Sequence, residues 1–147
     1  MFGLHANTSA NRRRVVEKWI DGVNKRDISV LAGLMSDDCR IIDSRGDSAH
    51  GREDCLSTIR GFFGMTEEFV IHVDTLSSTR DDIIIRGYCT ATDPRLTNET
   101  HWRARSDGRR MTEWQSYTDK YPVGVIHMAI GDRVYSDRSG SGEGFDH

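Results

Sequence analysis

Cysteines are few in this 147-residue chain, and long apolar runs and cofactor motifs are missing. Cys39, Cys55 and Cys89 are odd in number and widely separated, and no CxxC occurs, so neither a zinc ribbon nor a thioredoxin-type pair is available. They are expected as small core residues of a reduced, cytoplasmic protein. No run approaches the roughly 18 apolar residues of a membrane helix. The opening "MFGLHANTSANRRR" carries its positive charges after its only apolar residues, which is not the layout of a signal peptide. No GxGxxG, Walker-type loop or GxSxG elbow is present, and no two histidines stand at i,i+2 or i,i+4, so neither cofactor nor metal is expected. A net charge of −3 and a pI near 6.0 lack the basic footprint of a nucleic-acid binder.

What is present describes one ordinary domain. Hydrophobic residues make up 36% and charged residues 29%, and a chain of this length buries roughly 68–70% of its unfolded surface. Val15, Val16, Trp19, Ile20 and Val23 recur at helical spacing, predicting a helix from about Asn11 to Asn24. "NKRD" breaks it, and Asp27 can cap a second helix carrying Ile28, Leu31, Leu34 and Met35. A third helix over about Arg52 to Phe63 places Cys55, Leu56, Ile59, Phe62 and Phe63 on one face. Period-2 alternation then predicts strands from Phe69, over Ile83 to Thr92, over Met111 to Tyr121 and over Val125 to Tyr135. The stretch from Pro94 to Arg110 holds enough Pro, Asn and Asp-Gly breakers to read as a long connection with extended pieces. Helices followed by a meandering, largely antiparallel sheet make an α+β domain over residues 11–135. An N-terminal arm (1–10) would precede it and a flexible Gly/Ser-rich tail (136–147) follow it.

One short stretch poses the functional question. In "MSDDCRIID", Ser36 to Asp38 reads as a polar turn and Cys39 to Ile42 as a strand, with Asp43 in line with Cys39 and Ile41. Asp43 either closes an Asx-type turn with the Gly46 loop or presents a carboxylate to a pocket. Two strand parities stay open as well. Arg86 and Tyr88 share a face that either meets solvent or lines a polar wall. On "MTEWQSYTDKY", Gln115 and Tyr117 oppose Trp114 and Ser116. His127 stands on the last expected strand as a candidate acid or a structural histidine.

The pattern "KWIDGVNKRDISVLAGLMSDDCRIID" followed by "HGRED" resembles the nuclear-transport-factor-2-like superfamily, which includes ketosteroid isomerase and the SnoaL-type polyketide cyclases. The likeness runs from about Arg14 to Asp132 and is poorest over Pro94–Arg110. It implies a cone in which three helices pack in the concave face of a curved sheet. It also implies an internal pocket for a small apolar or carbonyl-containing molecule, and a homodimer. Asp43 falls at the family's general base, Trp19 at a hydrogen-bond-donating tyrosine, and Tyr117 at a second donor (Ser116 if no gap is allowed). The implied site is therefore Asp43, Tyr117 and His127 for chemistry, with Trp19, Ile59, Arg86, Tyr88 and Gln115 around the ligand. An epoxide-hydrolase relay resembling Asp-Arg-Asp is rejected, because Tyr88 and Gly131 stand where its acids belong. The expected function is cofactor-independent isomerisation, dehydration or polyketide-type cyclisation; the alternative is a non-catalytic binding or assembly module.

Overall fold

The computed structural model describes residues 7–118 and residue 126. Helix α1, Ser9–Asn24, starts at Thr8, whose hydroxyl accepts the Asn11 N–H at 3.1 Å. That satisfies one of the donors a helix start leaves open, and it brings two residues of the expected arm into the helix. Val15, Val16, Trp19 and Ile20 form its buried stripe. The chain reverses at Arg26, a non-glycine with φ 55°. Asp27 then caps α2, Ile28–Leu34, by accepting the Val30 N–H at 3.2 Å.

Met35 does not end this helix. It begins strand β1, Met35–Ile42, so Ser36–Asp38 is extended chain and not a turn. Strand β6, Met111–Tyr117, is the reason: Met35 pairs with Met111 in parallel and is 1% exposed. A register shift between Met35 and Arg40 absorbs the polar residues, as bulges do. "SRGDSAHG" is likewise more than a turn. Its second half forms β2, Ser48–His50, antiparallel to β1 with Ile41 opposite Ala49. Helix α3, Arg52–Met65, follows and runs two residues past the expected Phe63, with Glu53 and Asp54 in its first turn, where negative charge suits the helix dipole.

The remaining strands are β3, Val70–Ser78, β4, Ile83–Thr90, and β5, Asn98–Ser106. The spatial order β2-β1-β6-β5-β4-β3 leaves one parallel pair, β1 with β6, among antiparallel neighbours. Three helices on a curved mixed sheet make the expected α+β fold. The supposed Pro94–Arg110 connection is the largest correction. It holds a 3₁₀ turn, Pro94–Leu96, and then β5, which lies in the interior of the sheet. Thr100, Trp102, Ala104 and Ser106 are its buried face. Its arginines point the other way: Arg103 pairs with Glu113 and, at 3.3 Å, with Asp82, while Arg105 reaches Asp82 at 2.5 Å. Arg40 joins Glu113 at 3.4 Å, so the outer face is crossed by a chain of alternating charges. The expected strand over Val125–Tyr135 and the tail lie outside the described residues, apart from Ile126, which has helical backbone and is buried. No helix among the described residues is long and apolar enough to cross a membrane.

Gly87 is required where β3 bends. The register of β3 on β4 shifts between Val73 and Thr75, and the bulged backbone crosses directly over Gly87. A Cβ at Gly87 would overlap the His72 carbonyl and lie 3.2 Å from the Val73 Cα. Backbone cannot yield as a side-chain tip can. Gly87→Ala is therefore expected to lower stability by more than about 2 kcal/mol, read from denaturant midpoints; an unchanged midpoint would show that the bulge gives way.

Candidate functional site

A cavity lies between the helices and one end of the sheet. That end gathers the C-termini of β1, β4 and β6 and the N-termini of β3 and β5. It encloses about 120 Å³. From the helical side come Trp19 and Val23 of α1 and Thr58, Ile59, Phe62 and Phe63 of α3. The sheet supplies Trp102 and Thr100 on β5, Trp114 and Ser116 on β6, and Cys89 on β4. Phe69 and Leu96 extend the apolar lining from the segments before β3 and β5. Two aromatic contacts knit the inner wall: Trp114 lies 6.1 Å from Trp19 and 6.0 Å from Trp102, centroid to centroid.

Asp43 brings the carboxylate into this lining. It is 3% exposed, it follows the Ile42–Gln115 pair of the β1–β6 step, and Ser116 lines the same cavity. Its Oδ1 accepts the N–H groups of Arg45 at 2.9 Å and Asp47 at 3.0 Å; its Oδ2 accepts the Ile126 N–H at 3.1 Å. The first two bonds close the "DSRGD" turn, whose Gly46 has φ 90°. The third reaches a residue 83 positions away. The two sequence alternatives for Asp43 are thus both realised: it closes the turn and it lines the cavity. Both oxygens act as acceptors.

Three implied site residues, Trp19, Asp43 and Ile59, meet at this cavity. Four do not. Strand alternation turns Cys89, Trp114 and Ser116 inward and so sends Arg86, Tyr88, Gln115 and Tyr117 to the outer face. There Tyr88 stacks on His72 at 4.5 Å, and Arg86 is exposed. Gln115 accepts from Arg103 at 2.9 Å, and the Tyr117 hydroxyl lies 3.5 Å from the Arg103 Nε. Ser116, the ungapped choice, takes the inward place. His127 lies outside the described residues. What sequence reading passed over is the aromatic inner wall, Trp102 and Trp114 above all. Its signal was the alternation of Thr100, Trp102 and Ala104 inside a stretch rich in breakers.

The remaining groups are chemically quiet. Burial pushes the Cys89 thiol up to about 12, against a weak contact with Thr100 at 3.8 Å, so it stands in the wall as a neutral thiol and not a nucleophile. Cys55 donates to the Cys39 carbonyl at 3.2 Å, and its contact with Cys39 together with burial raises its thiol as well. Among the described residues no three His, Cys, Asp or Glu side chains come together as metal ligands. The Trp19 indole N–H is buried and has no hydrogen-bond partner among them.

Solved structures share this architecture. A protein from Shewanella denitrificans, provisionally assigned as a SnoaL-like polyketide cyclase, superposes with a TM-score of 0.66 at 12% identity, covering 88% of this chain and 99% of its own. A protein with a ketosteroid-isomerase-like fold from Catenulispora acidiphila, solved in complex with trimethylamine, gives 0.65 at 18% identity over 74% of this chain and 88% of its own. An NTF2-like protein of unknown function from Burkholderia pseudomallei gives 0.64 at 17% identity over 74% and 91%. At such identities the likeness concerns the fold. No curated protein matches the sequence. The model of the SnoaL-like domain matches residues 16–118, a span that includes β1, the Asp43 that follows it and every strand of the cavity wall, and the chain belongs to the SnoaL-like domain family.

Proposed function

We propose that this protein is a cofactor-independent enzyme that moves a proton next to a carbonyl group, as in isomerisation, dehydration or polyketide-type cyclisation, with Asp43 as the base. The observation that supports this is a buried carboxylate at the edge of an aromatic, largely apolar cavity. In such surroundings a positioned carboxylate can take a proton from a carbon acid, and the resulting acid can return it at another carbon. Three backbone N–H groups hold the Asp43 carboxylate in its place in the cavity wall. Ser116 lines the same cavity and can donate its hydroxyl proton to the oxygen on which charge develops. His127 follows Ile126, whose N–H binds Asp43, and is kept as the candidate acid. The SnoaL-like family and the small ligand of the Catenulispora relative agree with a small-molecule cavity.

A second reading has its own support. The same three bonds make Asp43 a fastener of the β1–β2 turn, as a non-catalytic binding module would need. Exchange of ketone α-protons in deuterated buffer, followed by proton NMR, separates the two. The enzyme should catalyse exchange in a small ketone, and Asp43→Asn should slow it by at least about 100-fold. A ketone that binds but exchanges no faster than in buffer would leave the binding module.

The fastening role is checked separately. Asp43→Ala strands buried N–H groups and should cost about 1–3 kcal/mol. Asn keeps an acceptor for Arg45 and Asp47 and should cost less. Equal stability of the alanine variant and the wild type would exclude this role.

The expected partner is a second copy. Tyr88 and Tyr117, 41% and 42% exposed on the outer face of the sheet, support a homodimer there. Sedimentation should report twice the 16.7 kDa of the chain, and Tyr88→Lys should return it to one; a wild-type monomer at micromolar concentration would contradict this. The three free, buried thiols fit a cytoplasmic setting.

A further inference from the structure

The aromatic residues of this chain are sorted by type. It has three tryptophans and five phenylalanines. Trp19, Trp102, Trp114, Phe62, Phe63 and Phe69 all line this cavity, and these are all the tryptophans and phenylalanines among the described residues. The described tyrosines, Tyr88 and Tyr117, sit on the opposite face. A core that only needed filling could use aliphatic side chains at these places, as it does with Ile83, Ile85 and Leu31, each 0% exposed away from the cavity.

The six rings approach the space from different sides. Phe62 and Phe63 come from α3, and Phe69 meets Phe62 edge-on at 4.8 Å. Trp102 and Trp114 come from adjacent strands of the sheet and lie near parallel, 24° apart. Ring edges and ring faces are thus offered to whatever lies between, and aromatic partners favour both edge-to-face and offset-stacked contact. Size restricts the guest further. A cavity of about 150 Å³ accepts benzene, and this one is of similar volume, about 120 Å³.

We infer that the ligand of this cavity is built on a single planar aromatic ring, seated between the phenylalanines of the α3 side and the tryptophans of the sheet. This rests on the cavity being the small-molecule site and names the ligand body that the proton-transfer chemistry would act beside. A saturated ring of equal size buries similar area but forfeits the ring–ring contacts, each worth about two- to tenfold in affinity.

Acetophenone and cyclohexyl methyl ketone carry the same carbonyl and nearly the same volume, and differ in whether the ring is planar. Calorimetric titration of the full chain should find acetophenone bound at least about tenfold more tightly. Phe69→Leu, at a half-buried position that keeps its apolar volume, should reduce that preference while both ketones still bind and the thermal unfolding profile is retained. Equal or reversed affinities in the wild type would overturn the aromatic assignment and leave the proton-transfer proposal standing, since that needs only the carbonyl. If neither ketone binds, both fall. A preference unchanged in Phe69→Leu would remove the phenylalanine side from the contact and overturn the arrangement as stated.

Discussion

A carboxylate taken out of water must find donors, and how Asp43 finds them organises one end of this molecule. Two of its hydrogen bonds close the turn between β1 and β2, and a third holds Ile126, 83 residues further on. Burying such a group without these bonds would cost several kcal/mol. With them, the carboxylate becomes the point where the sheet edge, the turn and the later chain are tied together. The same tie leaves it in the cavity wall, so the group that fastens the site is also the group best placed to act in it.

The sheet separates chemistry by face. Inward residues of β4, β5 and β6 are Cys89, Trp102, Ala104, Trp114 and Ser116; on the outer face Arg103 and Arg105 of β5 and Glu113 of β6 join Arg40 of β1 and Asp82 of the turn before β4 in a charge network. Partly exposed ion pairs of this kind each contribute little, about 0–1 kcal/mol. Their alternation of sign across adjacent strands keeps like charges apart and sets register. The inner face supplies the burial, and β3 bulges where its backbone passes close over Gly87.

Much of this was legible in the sequence because one periodicity dominated each segment. α1 and α3 declared themselves through apolar stripes, Asp27 through its capping position, and β4 through alternation after the "SSTRDD" turn. Two places misled for opposite reasons. Met35 carries helical spacing, but its pairing with Met111, 76 residues away, makes it strand. The breakers of Pro94–Arg110 belong to the two ends of that stretch, a 3₁₀ turn and the Asp107–Gly108 hairpin, and they hid nine residues of strand between them. Family position pointed to Asp43 and Trp19, and the apolar stripe of α3 to Ile59, all of which line the cavity. It missed the parity of β6, where polar residues stand on both faces, and of β4, where Arg86 and Tyr88 lie opposite the apolar Ile83, Ile85 and Cys89 and so face outward.

The most direct measurement is a crystal structure of the protein with an aromatic ketone bound. With Asp43 as the base, the carbon next to the carbonyl should lie about 3–3.5 Å from an Asp43 carboxylate oxygen, with the ring among Trp102, Trp114 and Phe62. A ketone seated in the cavity with its carbonyl turned away from Asp43 toward solvent would contradict it, and would leave that carboxylate as the fastener of a binding site.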